Sequence, residues 1–191
     1  MSARLPLNTQ ARVSALEFES VAPRRGGRLL FAPFSASLEP GTFLGIVGPN
    51  GSGMSSLLSV VARTGVRATG AVRYGGSEIA RMRSRERARV MALMTQDAYA
   101  PNELRVLDIV RVGALAGAAE GAVSATDRSL DALAQLGIRD LAARAYSTLS
   151  GGQRQLVQLA RVLAQNSPVM LFDEPTSALD LHHHLTVMHA L

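Results

Sequence analysis

The sequence predicts an α/β protein, on three observations. The apolar run LGIV at residues 44–47 passes straight into the glycine-rich GPNGSGMSS at 48–56, and that into SSLLSVVAR with helical spacing. A second apolar run, VMLF at 169–172, ends in the acidic pair Asp173 and Glu174. From about residue 97 to 148, alanine and leucine recur with a 3.6-residue period.

The elements follow in order. Residues 13–47 alternate short apolar runs with turn signals, VSALEFESV, the basic turn RRGGR, then LLFAPFSASLEPGTFLGIV, and read as short strands. LGIV has the composition of a buried strand. After the glycine loop, Leu57, Leu58 and Val61 share one helix face. AVRYGG reads as a strand ending in a turn, and VMALMTQ at 90–96 as a strand with a polar end. VLDIVRVGALAG and SLDALAQLGI make the middle region a helical insertion. LSGGQRQ opens the helix LVQLARVLAQ, Pro168 breaks it, and VMLF follows as a strand.

The glycine loop fits the template GxxxxGK(S/T), in which backbone N–H groups converge on phosphate oxygens at the positive end of a helix. Gly48, Gly51 and Gly53 hold the required places and Ser55 stands where a hydroxyl would meet Mg²⁺, but Met54 occupies the lysine position. By itself such a loop is also ordinary turn geometry. A carboxylate after VMLF can sit at the carboxyl edge of a sheet and hold a metal or its water. Adjacent strand residues point to opposite faces, so Asp173 and Glu174 need a bend at the strand end to serve one site. Alone, that pair reads as solvent-facing charge. In LSGGQRQ, Ser150 can cap the helix while Gly151 and Gly152 leave N–H groups open to an anion, or the segment caps a helix and binds nothing.

Composition narrows the classes. The 191 residues carry a formal net charge of +5, every basic residue is arginine, and cysteine is absent, which excludes disulfides, thiol catalysis and cysteine metal sites. The densest arginine group, Arg81 to Arg89, contains Glu86 and reads as a solvated helix face; no nucleic-acid partner is expected. No apolar stretch approaches the ~18–20 residues a bilayer requires, and MSARLPLNTQAR lacks a secretory apolar block. The cytosol is the default address.

Taken in this order, the residues resemble the nucleotide-binding domain of ABC ATPases over nearly the whole chain. GPNGSGMSS is similar to the Walker A loop, Gln96 to the Q-loop glutamine, LSGGQ to the family signature, VMLFDE to the Walker B strand, and SALD at 177–180 to the D-loop. The resemblance implies one domain over 1–191. It has a RecA-like P-loop core, an antiparallel β subdomain and a helical signature subdomain at about 97–150. ATP and Mg²⁺ come with it, as does a head-to-tail homodimer sandwiching two ATP molecules. Nucleotide contacts carry over to Gly48, Pro49, Asn50, Gly51, Ser52, Gly53, Met54, Ser55 and Ser56, and across the dimer to Ser150, Gly151, Gly152 and Gln153. The metal shell carries over to Ser55, Gln96 and Asp173, and catalysis to Glu174 and Gln96, with Glu174 as general base.

RVLDIVRVGALAG and SALDLHHHLTVM look like the importer ATPases for iron siderophores, haem and cobalamin. That implies membrane-embedded permease subunits as partners and a peripheral place at the inner face of the membrane. Exporters and non-transport members of the family are the alternatives, together with a non-catalytic nucleotide-binding or regulatory remnant.

Three departures matter. Methionine keeps the volume of lysine without its charge, so impaired turnover is expected, with ATP affinity lower by ~10- to 100-fold. Where the family places an aromatic base platform, this sequence has Arg24 or Arg25, which stacks on a base or lies in a solvated turn. The family continues past the D-loop to another strand and a switch histidine, whereas this sequence ends at Leu191 and reads as C-terminally short. In RecA-like sheets that strand lies between the loop strand and the Walker B strand. Exposed apolar surface and low stability are therefore expected. His182, His183 and His184 fan apart on a helix and are not expected to share a metal.

Overall fold

The structure, a computed structural model, describes residues 15–96, 101, 103–117, 124–177, 179 and 181–190, the side chains of 181–183 and 190 excepted. The expectations for Ala178 and Asp180 of the D-loop, and for the His182 and His183 side chains, lie outside the described residues. The chain divides after Met82 into two compact units.

The first unit is built on a five-stranded antiparallel sheet. Its longest strand, β1 (Leu16–Arg25), buries Leu16, Phe18 and Val21. It turns through Gly26 and Gly27, both left-handed, into β2 (Arg28–Leu29). Strand β1 also pairs with β3 (Phe34–Leu38) and β4 (Arg67–Tyr74), and β4 pairs with β5 (Ser77–Glu78). Helix α1 (Met54–Ala62) packs on β1 and β4 through Leu57, Val60 and Val61. Of the expected face, Leu57 and Val61 are buried while Leu58 is only half-buried, and Val60 takes its place in the packed stripe.

One expected element is missing. LGIV forms no strand; Phe43 is 71% exposed and Val47 93%. A strand exists only where its N–H and C=O groups find a ladder, and among the described residues none pairs with 44–47. Apolar composition alone could not supply that partner.

The second unit opens with α2 (Ser84–Val90), whose arginines are mostly solvated, and then β6 (Met91–Met94). Helices α3 (Val106–Gly117), α4 (Ala125–Gln135) and α5 (Gly151–Gln165) lead to β7 (Val169–Phe172) and α6 (Leu181–Ala190). Strands β6 and β7 are parallel, with Met91 opposite Val169 and Met94 opposite Phe172. The core joins Ala92 and Met94 to Val106, Ile109, Val110, Leu133, Leu156, Leu159 and Val187. Helix α3 lies so close to α5 that a methyl group on Gly113 or Gly117 would collide with the carbonyl oxygen of Arg161 or Gln165. Helix α5 closes earlier than its proline suggests: Asn166 takes the left-handed conformation (φ 53°) two residues before Pro168. The Gln165 side chain then donates to the Ala88 and Met91 carbonyls at 2.7 and 2.8 Å, tying the end of α5 to the start of β6.

Candidate functional site

In the first unit, residues 48–53 run irregularly into α1. Gly51 and Gly53 have φ values of 81° and 97°, a region that a β-carbon disfavours, and Gly53 is the residue from which α1 starts. The turn is closed by Ser52 N–H donating to the Pro49 carbonyl at 3.1 Å. Gly48, Pro49, Asn50, Gly51 and Ser55 are exposed, while Ser52, Gly53, Met54 and Ser56 are half-buried. Leu30 and Phe31 back the loop: a Cβ on Gly53 would stand 3.0 Å from Leu30 Cδ1 and 3.4 Å from Phe31 Cε1.

This loop fits a phosphate chain on three counts. The first turn of α1 has no acidic residue, so its orphan N–H groups and positive helix end are uncompensated. The place of a Gly48 Cβ lies 2.8 Å from Ser52 Oγ, so only glycine leaves this hollow open. Ser52 Oγ is buried without a partner, and an anion's oxygen would relieve it. Against full function stands Met54, whose Sδ is 3.5 Å from that same Gly48 position. The side chain folds back over the hollow and brings no charge.

In the second unit the acidic strand end is organised by register. Gln96 and Glu174 each lie two residues beyond the last β6–β7 pair, Met94 and Phe172. Gln96 Nε2 accordingly donates to Glu174 Oε2 at 3.1 Å. The bend that the two carboxylates require is present, because Asp173 N–H still donates to the Met94 carbonyl at 3.0 Å while Glu174 turns left-handed at φ 50°. Asp173 is half-buried; Gln96 and Glu174 are exposed. Gln96 gives one amide hydrogen to Glu174, and its amide oxygen is an acceptor that this bond does not use. Oxygens of an amide and a carboxylate are donors that a hard cation such as Mg²⁺ takes. Among the described residues no cluster of three histidine, aspartate or glutamate side chains could hold a metal unaided.

The signature segment forms the start of α5. Ser150 Oγ accepts from Gln153 N–H at 3.3 Å and Gln153 Oε1 accepts from Ser150 N–H at 3.1 Å, a reciprocal capping box. Sequence reasoning gave Ser150 its capping role and missed that of Gln153, although the spacing Ser-x-x-Gln spells it. Gly151 is exposed and nothing lies within 4 Å of its Cβ position, so an approach to the helix end stays open. Gln155 was missed altogether: its Nε2 donates to the Glu174 carbonyl at 3.1 Å. At the hairpin, Arg24 and Arg25 are exposed.

Residues 31–177 match the ABC transporter family. The hemin import ATP-binding protein HmuV of Gloeobacter violaceus is 39% identical over 182 residues, covering 90% of this chain and 66% of that protein. The iron(3+)-hydroxamate import ATP-binding protein FhuC of Bacillus subtilis is 34% identical over 182 residues, covering 94% and 68%. The chain thus spans about two-thirds of the length of these curated relatives. A solved dimeric ATP-binding cassette, in a post-hydrolysis state bound to ADP and Pi, superposes with a TM-score of 0.81 at 26% identity over 92% of this chain and 80% of that one. With most of its length matched by that family and its fold shared with a solved ATP-binding cassette, this chain belongs to the ABC transporter family, as an ATP-binding domain with the RecA-like P-loop α/β fold.

Proposed function

We propose that this chain is the ATP-binding subunit of an importer for haem or a related iron chelate, coupling ATP binding and hydrolysis to transport. It would sit at the inner face of the membrane through embedded permease subunits; no helix among the described residues is long and apolar enough to cross a bilayer. The observation that carries the reading is the 3.1 Å bond between Gln96 and Glu174 at the ends of paired parallel strands. The chain around it is 39% identical to a protein named for hemin import.

In this reading the main-chain N–H groups of Gly51 and Gly53 and of the start of α1 grip the triphosphate of ATP, with Ser55 and Ser56 on its oxygens. Ser55 of the first unit would offer its hydroxyl to Mg²⁺, and Asp173 and Gln96 of the second unit would offer their side-chain oxygens; the ion would supply charge neutralisation on the phosphates. Glu174 accepts the proton of the attacking water, and the Gln96 amide fixes the carboxylate that does so. Residues 150–153 of a second copy, head to tail, close each nucleotide.

Met54 favours a second reading, a nucleotide-binding regulatory subunit without turnover, because its thioether folds over the hollow where a cation is needed. Titration with a fluorescent ATP analogue, run beside a phosphate-release assay, separates the two. Binding with turnover supports the ATPase, and binding alone supports the regulator. If neither this chain nor its Met54→Lys variant binds nucleotide, both readings fail.

A further inference from the structure

Glu174 takes a left-handed backbone conformation, φ 50°, which a β-carbon disfavours and which persists only where neighbours hold it. Its carboxylate is held from the end of β6 by Gln96. Its carbonyl is the meeting point of three donors. Ser177 supplies two, its N–H at 3.3 Å and its Oγ at 3.2 Å, both from within the same turn. The third, Gln155 Nε2 at 3.1 Å, comes from α5 and also lies 3.5 Å from Ser177 Oγ. Gln155 is therefore the donor that fixes the bend against an element outside it.

We infer that Gln155 is a positioning residue for Glu174: by holding the Glu174 carbonyl it keeps the bend left-handed and the carboxylate facing Gln96. Its use in catalysis rests on the ATPase reading above; its geometric role does not. Without this donor, Glu174 relaxes toward an ordinary strand or helical φ. The Cα–Cβ direction then swings and the bond from Gln96 is lost. Gln155 sits two residues after Gln153, so the capped first turn of α5 and the acidic strand end are joined through one short stretch of helix.

The test uses the full chain and two substitutions that remove donors to one acceptor. Gln155→Met keeps side-chain length; Ser177→Ala alters an exposed residue and leaves the core intact. Amide hydrogen exchange is followed over 172–177, with α3 and α5 as internal references. Gln155→Met is expected to speed exchange there by about three- to tenfold, the loss of one hydrogen bond, while the references stay unchanged. The double variant should exchange about as fast as the faster single one, because the two donors brace one carbonyl. Unchanged exchange over 172–177, acceleration spread equally over α3 and α5, or strictly multiplicative effects would each overturn the inference. Should Gln155→Met fail to fold, Gln155→Asn, which cannot reach the carbonyl, is read by the same criteria.

A second readout uses the Met54→Lys chain as reference, where Gln155→Met should lower kcat about tenfold and leave KM for ATP unchanged. An equal loss through KM alone would place Gln155 in nucleotide binding and overturn the positioning role. If the reference itself shows no turnover, the ATPase reading falls and hydrogen exchange decides the role of Gln155.

Discussion

Replacing Met54 with lysine tests what the glycine loop retains. The Met54 side chain already reaches the hollow, with Sδ 3.5 Å from the Gly48 Cβ position. Lysine is one atom longer at most, so its ammonium would lie within hydrogen-bond reach of a phosphate seated on the same amides. A hydrogen bond to a charged group contributes about 1.5–3 kcal/mol, which corresponds to ATP binding tighter by about 10- to 100-fold. The nucleotide-free protein should respond in the opposite direction. A cation in the first turn of α1 opposes the helix dipole and costs about 0.3–1 kcal/mol, with no acidic residue in that turn to offset it. Equilibrium titration with a fluorescent ATP analogue at low and high salt, beside thermal melts with and without ATP, reads both effects. The expected signature is a slightly lower melting temperature without nucleotide, a much larger gain on adding ATP, and an affinity difference that shrinks as salt rises. If Met54→Lys changes the melt but leaves the affinity within about twofold of the parent, the idea that this position faces the phosphates is wrong.

Gly113→Ala should destabilise the second unit by about 1–3 kcal/mol through overpacking against the Arg161 carbonyl, despite alanine's better helix propensity, and chemical denaturation measures it. Ser150→Ala removes the Oγ that accepts from Gln153 N–H and should cost about 1 kcal/mol in a thermal melt. Glu19 accepts from Arg73 Nε at 2.9 Å, and that bond holds its carboxyl below the ordinary 4.5. A depressed pKa means that the stabilisation is complete above pH 4.5 and is lost as the pH falls through the lower folded value. Glu19→Gln should therefore flatten the acid limb of the stability curve below pH 4.5, and an unchanged limb would show that the pair contributes nothing.

What the sequence made legible was local. Gly51 and Gly53 announce their positive φ by residue type, VMLF announces a strand through four apolar residues, and Ser150 announces a helix start through the two glycines after it. The need for a bend between Asp173 and Glu174 is legible from strand geometry alone. What stayed hidden depends on partners. LGIV has strand composition, yet its backbone meets no ladder among the described residues, and residue type cannot reveal that. Gln155 is one of several glutamines on α5, and nothing in its neighbours marks it as the one that meets Glu174, 19 residues further on. Gln158, a turn later, is instead buried against the Tyr146 hydroxyl at 3.2 Å.

The glycine loop and the acidic strand end consequently fail by different routes. At the loop, the groups that would hold phosphate belong to the main chain, and the φ values of Gly51 and Gly53 aim them. A side-chain change such as methionine for lysine removes charge and leaves those amides in place, whereas a β-carbon at Gly53 would meet Leu30 as well as an unfavourable φ. At the acidic strand end the reverse holds. Glu174 accepts a conformation its own β-carbon disfavours, so its orientation is only as secure as the side-chain donors of Gln96, Gln155 and Ser177. A grip on nucleotide built from backbone, as proposed for this loop, would therefore survive changes of side chain that would end proton transfer, which is why nucleotide binding and turnover call for separate measurements in a chain carrying Met54.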